Sequence, residues 1–205
     1  MRQRKVKLAT ESNLSEQGVH IGLDFIPTDD RQIYLEIGSG KGQFITSMAK
    51  DFPKIHFVAL EVNIDVCFRI LEKKIAFNID NLTIILGDAM HLLSYFHPQS
   101  VDAIYLNFSD PWPKAKHHKR RLTSELFLDL YRAILKPHGF IQFRTDHASF
   151  FDDSITYMSP YFEMVDIQRD LPETRYMTEY EVKKRTLGPI YQCTGKVDHH
   201  AKPHL

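Results

Sequence analysis

Apolar residues along this chain switch repeatedly between short β-rich runs and stretches with helical spacing, with polar or glycine-bearing turns between them. The first run, Ile33 to Ile37, ends in the turn Gly38-Ser39-Gly40-Lys41-Gly42. Phe44, Ile45, Met48 and Phe52 then share one helical face, and Pro53 closes that helix. His56 to Glu61 predicts a second strand, and Val66, Ile70 and Phe77 mark the next helix. Leu82 to Leu86 predicts a third strand, followed by Gly87-Asp88 and a short helix over Met90 to Phe96. Val101 to Phe108 predicts a fourth strand, which runs into a polar, proline-bearing loop from Ser109 to Leu122. Leu126, Phe127, Leu130, Tyr131, Ile134 and Leu135 form an amphipathic helix that Pro137-His138-Gly139 breaks. Phe140 to Thr145 predicts the fifth strand, and Phe150, Phe151, Ile155 and Met158 the helix after it. Phe162 to Arg169 and Ile190 to Val197 have the pattern of an antiparallel hairpin with a long insertion.

Strands alternating with helices predict an α/β fold, a mainly parallel sheet with helices on both faces and a C-terminal antiparallel hairpin. Right-handed crossovers place the strand C-termini along one edge, where open α/β sheets bind ligands. The reading divides the chain into a basic N-terminal arm (1–30), one domain (31–197) and a flexible tail (198–205). No internal repeat is visible.

The 205 residues suit one domain with a full core. Hydrophobic residues are 43% and charged residues 25%, an ordinary globular composition. No apolar run reaches the roughly 20 residues of a membrane span, and the N-terminus lacks the apolar centre of a signal peptide. Cys67 and Cys193 fit no zinc spacing, so both are expected to be reduced thiols of a cytoplasmic protein. The 26 basic and 26 acidic residues cancel. Local clusters matter more than the sum for nucleic acid. Arg2, Arg4, Lys5 and Lys7 form one cluster, Lys114 to Arg121 another, and Lys183 to Arg185 a third.

Seven groups of residues carry candidate chemistry. Glu36 precedes the turn containing Gly38, Gly40 and Gly42. Glycines allow a sharp turn and a close ligand approach, although a plain tight turn has the same letters. The dinucleotide fingerprint would need glycine where Gln43 stands. Glu61, ending the second strand, can accept both hydroxyls of a ribose or sit solvated at a strand end. Asp88 can receive an adenine amino group or serve as a turn residue. Asp110 lies in Asp-Pro-Trp-Pro, where prolines stiffen the backbone and Trp112 offers a flat face to a base. Lys116, His117, His118, Lys119, Arg120 and Arg121 follow at the same edge, which favours phosphate over a solvated loop. The histidines lack partners spaced for a metal, so no metal is expected. Asp146 ends the fifth strand and suits either substrate contact or a helix cap. Thr178-Glu179-Tyr180-Glu181 has capping-box spacing.

Taken together, Glu36 to Gly42, Asn107 to Lys114 with Lys119 to Thr123, Arg144 to Asp146 and Met177 to Glu181 resemble the bacterial tRNA (guanine-N7-)-methyltransferases, the TrmB family, over roughly residues 31–195. The resemblance implies a class I, Rossmann-like fold that takes S-adenosyl-L-methionine. It implies methylation of guanosine N7 in the tRNA variable loop. Glu36, Gly38, Gly40, Glu61, Asp88 and Asp110 would line the cofactor side, with Asp110 catalytic. Lys114, Asp146, Thr178, Glu179, Tyr180 and Glu181 would meet substrate, and the basic loop would engage RNA as monomer or homodimer. Two rivals remain at this point: an exocyclic-amine methyltransferase, and a non-catalytic RNA-binding protein on the same fold.

Overall fold

The computed structural model describes residues 5–26 and 30–197. Arg2, Arg4 and the tail from 198 onward lie outside the described residues. Seven strands form one sheet in the order β3-β2-β1-β4-β5-β7-β6. They are β1 (Gln32–Ile37), β2 (Ile55–Glu61), β3 (Leu82–Leu86), β4 (Val101–Asn107), β5 (Leu135–Thr145), β6 (Phe162–Gln168) and β7 (Tyr191–Val197). The first five run parallel, and β7 is antiparallel to both β5 and β6. Strand order reverses between β1 and β4. That reversal opens a crevice at the strand C-termini, the usual ligand position of such sheets.

Helices cover both faces. On one side α1 (Glu11–Glu16), α2 (Gln43–Asp51) and α3 (Ile64–Ala76) bury Leu14, Phe44, Ile45, Cys67 and Ile70 against Phe57, Ala59 and Ile84. On the other, α4 (Leu92–Tyr95), α5 (Glu125–Ile134) and α6 (Ala148–Met158) bury Leu92, Tyr95, Leu128, Tyr131, Phe150 and Phe151 against Leu35, Ile104 and Phe143. Strands buried on both faces read as continuous apolar runs, which is why β1 to β4 stand out in the sequence. The seventh helix, α7 (Glu179–Lys184), lies in the insertion between β6 and β7.

The start of β5 departs from the sequence reading. Pro137-His138-Gly139 does not separate α5 from its strand; α5 ends at Ile134 and β5 begins at Leu135. The register slips between Val101↔Leu135 and Ala103↔Phe140, so Pro137 sits where the ladder is already irregular. A Cβ at Gly139 would lie 3.0 Å from the Lys136 carbonyl and 3.2 Å from that of Asp102, a tight fit that backbone would have to shift to relieve.

The described part of the N-terminal segment packs on the domain. Leu14, Val19 and Ile26 are buried, and the Val6 N–H donates to Asp65 at 2.7 Å. His20 bridges the outer side of β3: its N–H donates to the Ile84 carbonyl at 2.8 Å, and its own carbonyl accepts from Leu86 at 2.9 Å. No described helix is long and apolar enough to cross a membrane.

Candidate active site

The crevice starts at the glycine turn. Gly38, Gly40 and Gly42 all have positive φ, at 72°, 53° and 76°. Side chains at Gly38 or Gly40 would meet no protein atom within 4 Å. Glycine is therefore favoured there by backbone conformation and not by protein packing, and the space in front of the turn is open. Gly42 differs: a Cβ would stand 3.0 Å from Ile70, because α2 packs on α3 at that point.

Glu61, ending β2, holds the turn. One carboxylate oxygen accepts from the Gly40 N–H and the other from the Asn63 N–H, both at 3.0 Å. Burial pushes its carboxyl up, against the pull of these N–H groups. Each oxygen keeps a lone pair for a ligand hydroxyl. Asp88 follows β3, is exposed, and caps the next turn by accepting from the Met90 N–H at 2.9 Å.

Glu36 and Asn107 face each other across the β1–β4 reversal, with Asn107 Nδ2 donating to Glu36 Oε1 at 2.8 Å. Glu36 is 1% exposed, and burial lifts its carboxyl from 4.5 to about 8; Glu61 adds to the rise, while Asn107 and Arg144 oppose it. Glu36 Oε2, Asn107 Oδ1 and Ser109 Oγ are buried without a partner. Unpartnered buried acceptors are uncommon and costly in folded proteins. Three at one crevice fit a ligand that carries several N–H donors.

The loop after β4 is braced and strained. Phe108 and Trp112 take φ of 54° and 38°, a region that bulky side chains rarely occupy and that costs about 1–3 kcal/mol each. Between them stands Asp110, exposed. The basic run forms a short 3-10 helix, Ala115–Arg120, exposing Lys116, Lys119 and Arg120. Arg120 lies over the Trp112 ring at 5.1 Å, and the His117 ring is 5.9 Å from it. Lys114 is exposed just before this turn.

The insertion returns α7 to the same edge. Thr178 caps α7, its hydroxyl accepting from the Glu181 N–H at 2.9 Å. Tyr180 packs its ring 5.2 Å from Phe108 and donates to Asp146 at 3.4 Å. Lys184 pairs with Asp146 at 2.9 Å. Glu179 pairs with Lys73 of α3 at 2.9 Å and with Lys41 of the glycine turn at 3.7 Å. Burial works to raise its carboxyl, but the two lysines hold it below the usual range.

Two assignments change. Glu181, expected from the sequence to meet substrate, is fully buried between Arg144 (2.8 Å) and Arg185 (2.6 Å). Its carboxylate therefore anchors α7 and does not close the capping box back onto Thr178. Arg121, expected to bind phosphate, is only 3% exposed. It donates to the Pro111 carbonyl and to Asp153, both at 2.7 Å, and lies 4.9 Å over Phe150. Its charge is matched inside the protein. The sequence reading puts Asn107, Ser109 and Arg144 at the ligand edge without giving them a role, and it does not mark Lys73 as a site residue. Asn107 has a readable signal, a polar residue directly after the apolar run Ala103 to Leu106. The ion-pair partners of Arg144 and Lys73 lie far away in sequence. Among the described residues, no three His, Cys, Asp or Glu side chains gather as a metal site.

Residues 30–193 match a family described as putative methyltransferases. The tRNA (guanine-N(7)-)-methyltransferase of Lactiplantibacillus plantarum is 45% identical over 166 residues, 78% of each chain. That of Staphylococcus carnosus is 44% identical over 173 residues, 82% of each chain. Solved structures share the fold at low identity. A 16S rRNA methyltransferase, KamB, superposes with a TM-score of 0.63 at 15% identity, covering 92% of this chain and 94% of that one. A SAM-dependent methyltransferase from Aquifex aeolicus gives 0.60 at 12%, covering 92% and 89%. The sequence matches run through the glycine turn, the Asp110 loop and most of the chain, so the protein belongs to the bacterial tRNA (guanine-N7-)-methyltransferase family.

Proposed function

We propose that this protein transfers a methyl group from S-adenosyl-L-methionine to N7 of a guanosine in the tRNA variable loop, in the cytoplasm. The observation that carries the reading is the set of orphaned acceptors Glu36 Oε2, Asn107 Oδ1 and Ser109 Oγ, at the crevice that the Asp110 loop borders. When bound, S-adenosylmethionine supplies an electrophilic sulfonium methyl group. Glu36, Asn107 and Ser109 would hold its ammonium end, Gly38 and Gly40 leave room for it, Glu61 would take the ribose, and Asp88 the adenine amino group.

Guanine N7 has a lone pair and no proton, so the protein needs no general base. Its tasks are to align the reactants and to place negative charge where the base becomes cationic. Asp110 is the exposed carboxylate for the second task, on a loop stiffened by Pro111 and Pro113. Lys114, Asp146, Thr178, Glu179 and Tyr180 are the proposed substrate contacts. Glu181 acts by holding their helix in place. Lys116, His117, His118, Lys119 and Arg120 are the proposed RNA contacts.

The test is to incubate tRNA with methyl-labelled cofactor, digest it and resolve the nucleosides. Label in 7-methylguanosine supports the reading. Label in an N-methylated exocyclic amine would replace it with that rival chemistry. Bound tRNA with no label would leave a binding protein.

A further inference from the structure

A cavity of about 250 Å³ adjoins the Asp110 loop, lined by Pro111, Pro113, His118, His147 and Phe150, with the Arg121–Asp153 pair, and Ser149 beside them. Two of its residues flank Trp112, and the first directly follows Asp110. The cavity is thus continuous in sequence with the loop that carries Asp110.

The cavity is preformed. Arg121 ties the loop to α6 by donating to the Pro111 carbonyl and to Asp153, both at 2.7 Å. Thr123 and Ser154, both fully buried, add a second tie through their hydroxyls at 2.8 Å. The His118 ring is itself positioned, with Nδ1 3.3 Å from the Tyr157 hydroxyl.

Its chemistry suits a base better than a phosphate. The one guanidinium in the lining is matched by Asp153, so no unpaired strong cation faces the space. What remains is flat and weakly polar: two proline rings, two imidazoles and a serine hydroxyl, over a floor in which Phe150 is fully buried beneath Arg121. Such surfaces stack on a heterocycle and offer its edges a few directional groups. The exposed cations, Lys116, Lys119 and Arg120, lie on the neighbouring turn and suit the backbone. The space is large enough for one base.

We propose that this cavity is a second nucleobase subsite, which takes the unpaired base adjacent to the target guanosine. The proposal rests on the RNA substrate proposed above. It is tested with tRNA transcripts that lack the base on one side or the other of the target, and with Ser149→Phe, which fills the cavity from the exposed start of α6. Filter binding and methylation kinetics are both read. One abasic transcript should bind about tenfold more weakly to the wild-type protein, the usual scale for losing one stacked base. Ser149→Phe should weaken intact tRNA to a similar degree, with KM raised and kcat kept, and should add nothing to the abasic loss. Its melting temperature and S-adenosylhomocysteine affinity should match wild type. If the variant does not fold, His147→Ala, at an exposed lining position, takes its place with the same expected pattern. Normal tRNA binding by the variant, or losses that add, would overturn the subsite. Failure of the wild-type protein to form 7-methylguanosine would instead overturn the reaction, while the binding comparison would still judge the cavity.

Discussion

Arg144 at the end of β5 and Glu181 on α7 form an ion pair at 2.8 Å, with 4% and 0% of their side chains exposed. Arg144 also donates to the Tyr176 carbonyl at 3.1 Å, so one guanidinium grips both ends of the segment that carries Thr178 to Tyr180. Removing one partner of a buried pair leaves the other charge uncompensated and typically costs about 3–5 kcal/mol. Glu181→Ala should therefore lower unfolding stability on that scale, and α7 should become the first site of proteolysis. Glu181→Gln, which keeps an acceptor, should lose less. A denaturant series with mass-spectrometric mapping of early cleavage checks this. Wild-type stability in Glu181→Ala would remove the pair as the anchor.

Asp110→Asn should leave S-adenosylhomocysteine affinity near wild type and cut single-turnover methylation by roughly 10²–10³, the usual cost of one preorganised group at a developing charge. Asp110 is exposed and bears no packing role, so the fold should persist. A near-normal rate at saturating cofactor would take Asp110 out of the mechanism.

Glu36 makes cofactor binding pH-dependent. Burial lifts its carboxyl from 4.5 to about 8, so below that value the ligand-free protein holds a proton there. A cationic ligand beside it favours the carboxylate and expels the proton. S-adenosylhomocysteine affinity should climb from about pH 6 to about pH 8 and then level off. The stability of the free protein moves the other way. The folded value lies above the unfolded one, so the contribution is full below 4.5 and is lost as pH rises through about 8. Glu36→Gln should flatten both curves. Calorimetry in buffers of different ionisation enthalpy reads the proton directly, and an unchanged slope in Glu36→Gln would assign it elsewhere.

The salt dependence of tRNA binding should follow the exposed cations only. Every cation–phosphate pairing that is removed flattens the slope of log affinity against log salt by roughly 0.7–0.9. Replacing Lys116, Lys119 and Arg120 together by alanine should flatten it by about 2–3. Arg121→Ala should instead destabilise the loop and leave the slope of the folded fraction unchanged. Filter binding across a salt series separates the two. A flatter slope in Arg121→Ala would mean that its pairing with Asp153 opens on RNA.

The sheet is readable from the letters because its strands are buried on both faces and leave unbroken apolar runs such as Phe57 to Leu60 and Ile104 to Leu106. The glycine turn is legible because backbone geometry there restricts residue type, and Asp110 because the prolines beside it mark a stiff loop at a strand end. Arg121 and Glu181 are not. Asp153 is 32 residues from Arg121, and although Glu181 has Arg185 one helical turn on, such a pair reads as an exposed helix pair until Arg144, 37 residues away, closes over it. Only the fold brings them together. The start of β5 is hidden because Pro137 and Gly139, which ordinarily end a strand, occupy an irregular stretch of the ladder.

The bridge at His20 bears on how copies of this protein can meet. A bare outer strand invites another strand to extend the sheet. On the β3 side the N–H and carbonyl of His20 already occupy the Ile84 carbonyl and the Leu86 N–H. On the β6 side the ladder is interrupted between Val165 and Gln168, with Asp166 turned to a φ of 52°. Both margins are thus less open to strand addition than a bare, regular edge. A second copy that paired with β3 at Ile84 and Leu86 would first have to displace His20 from them.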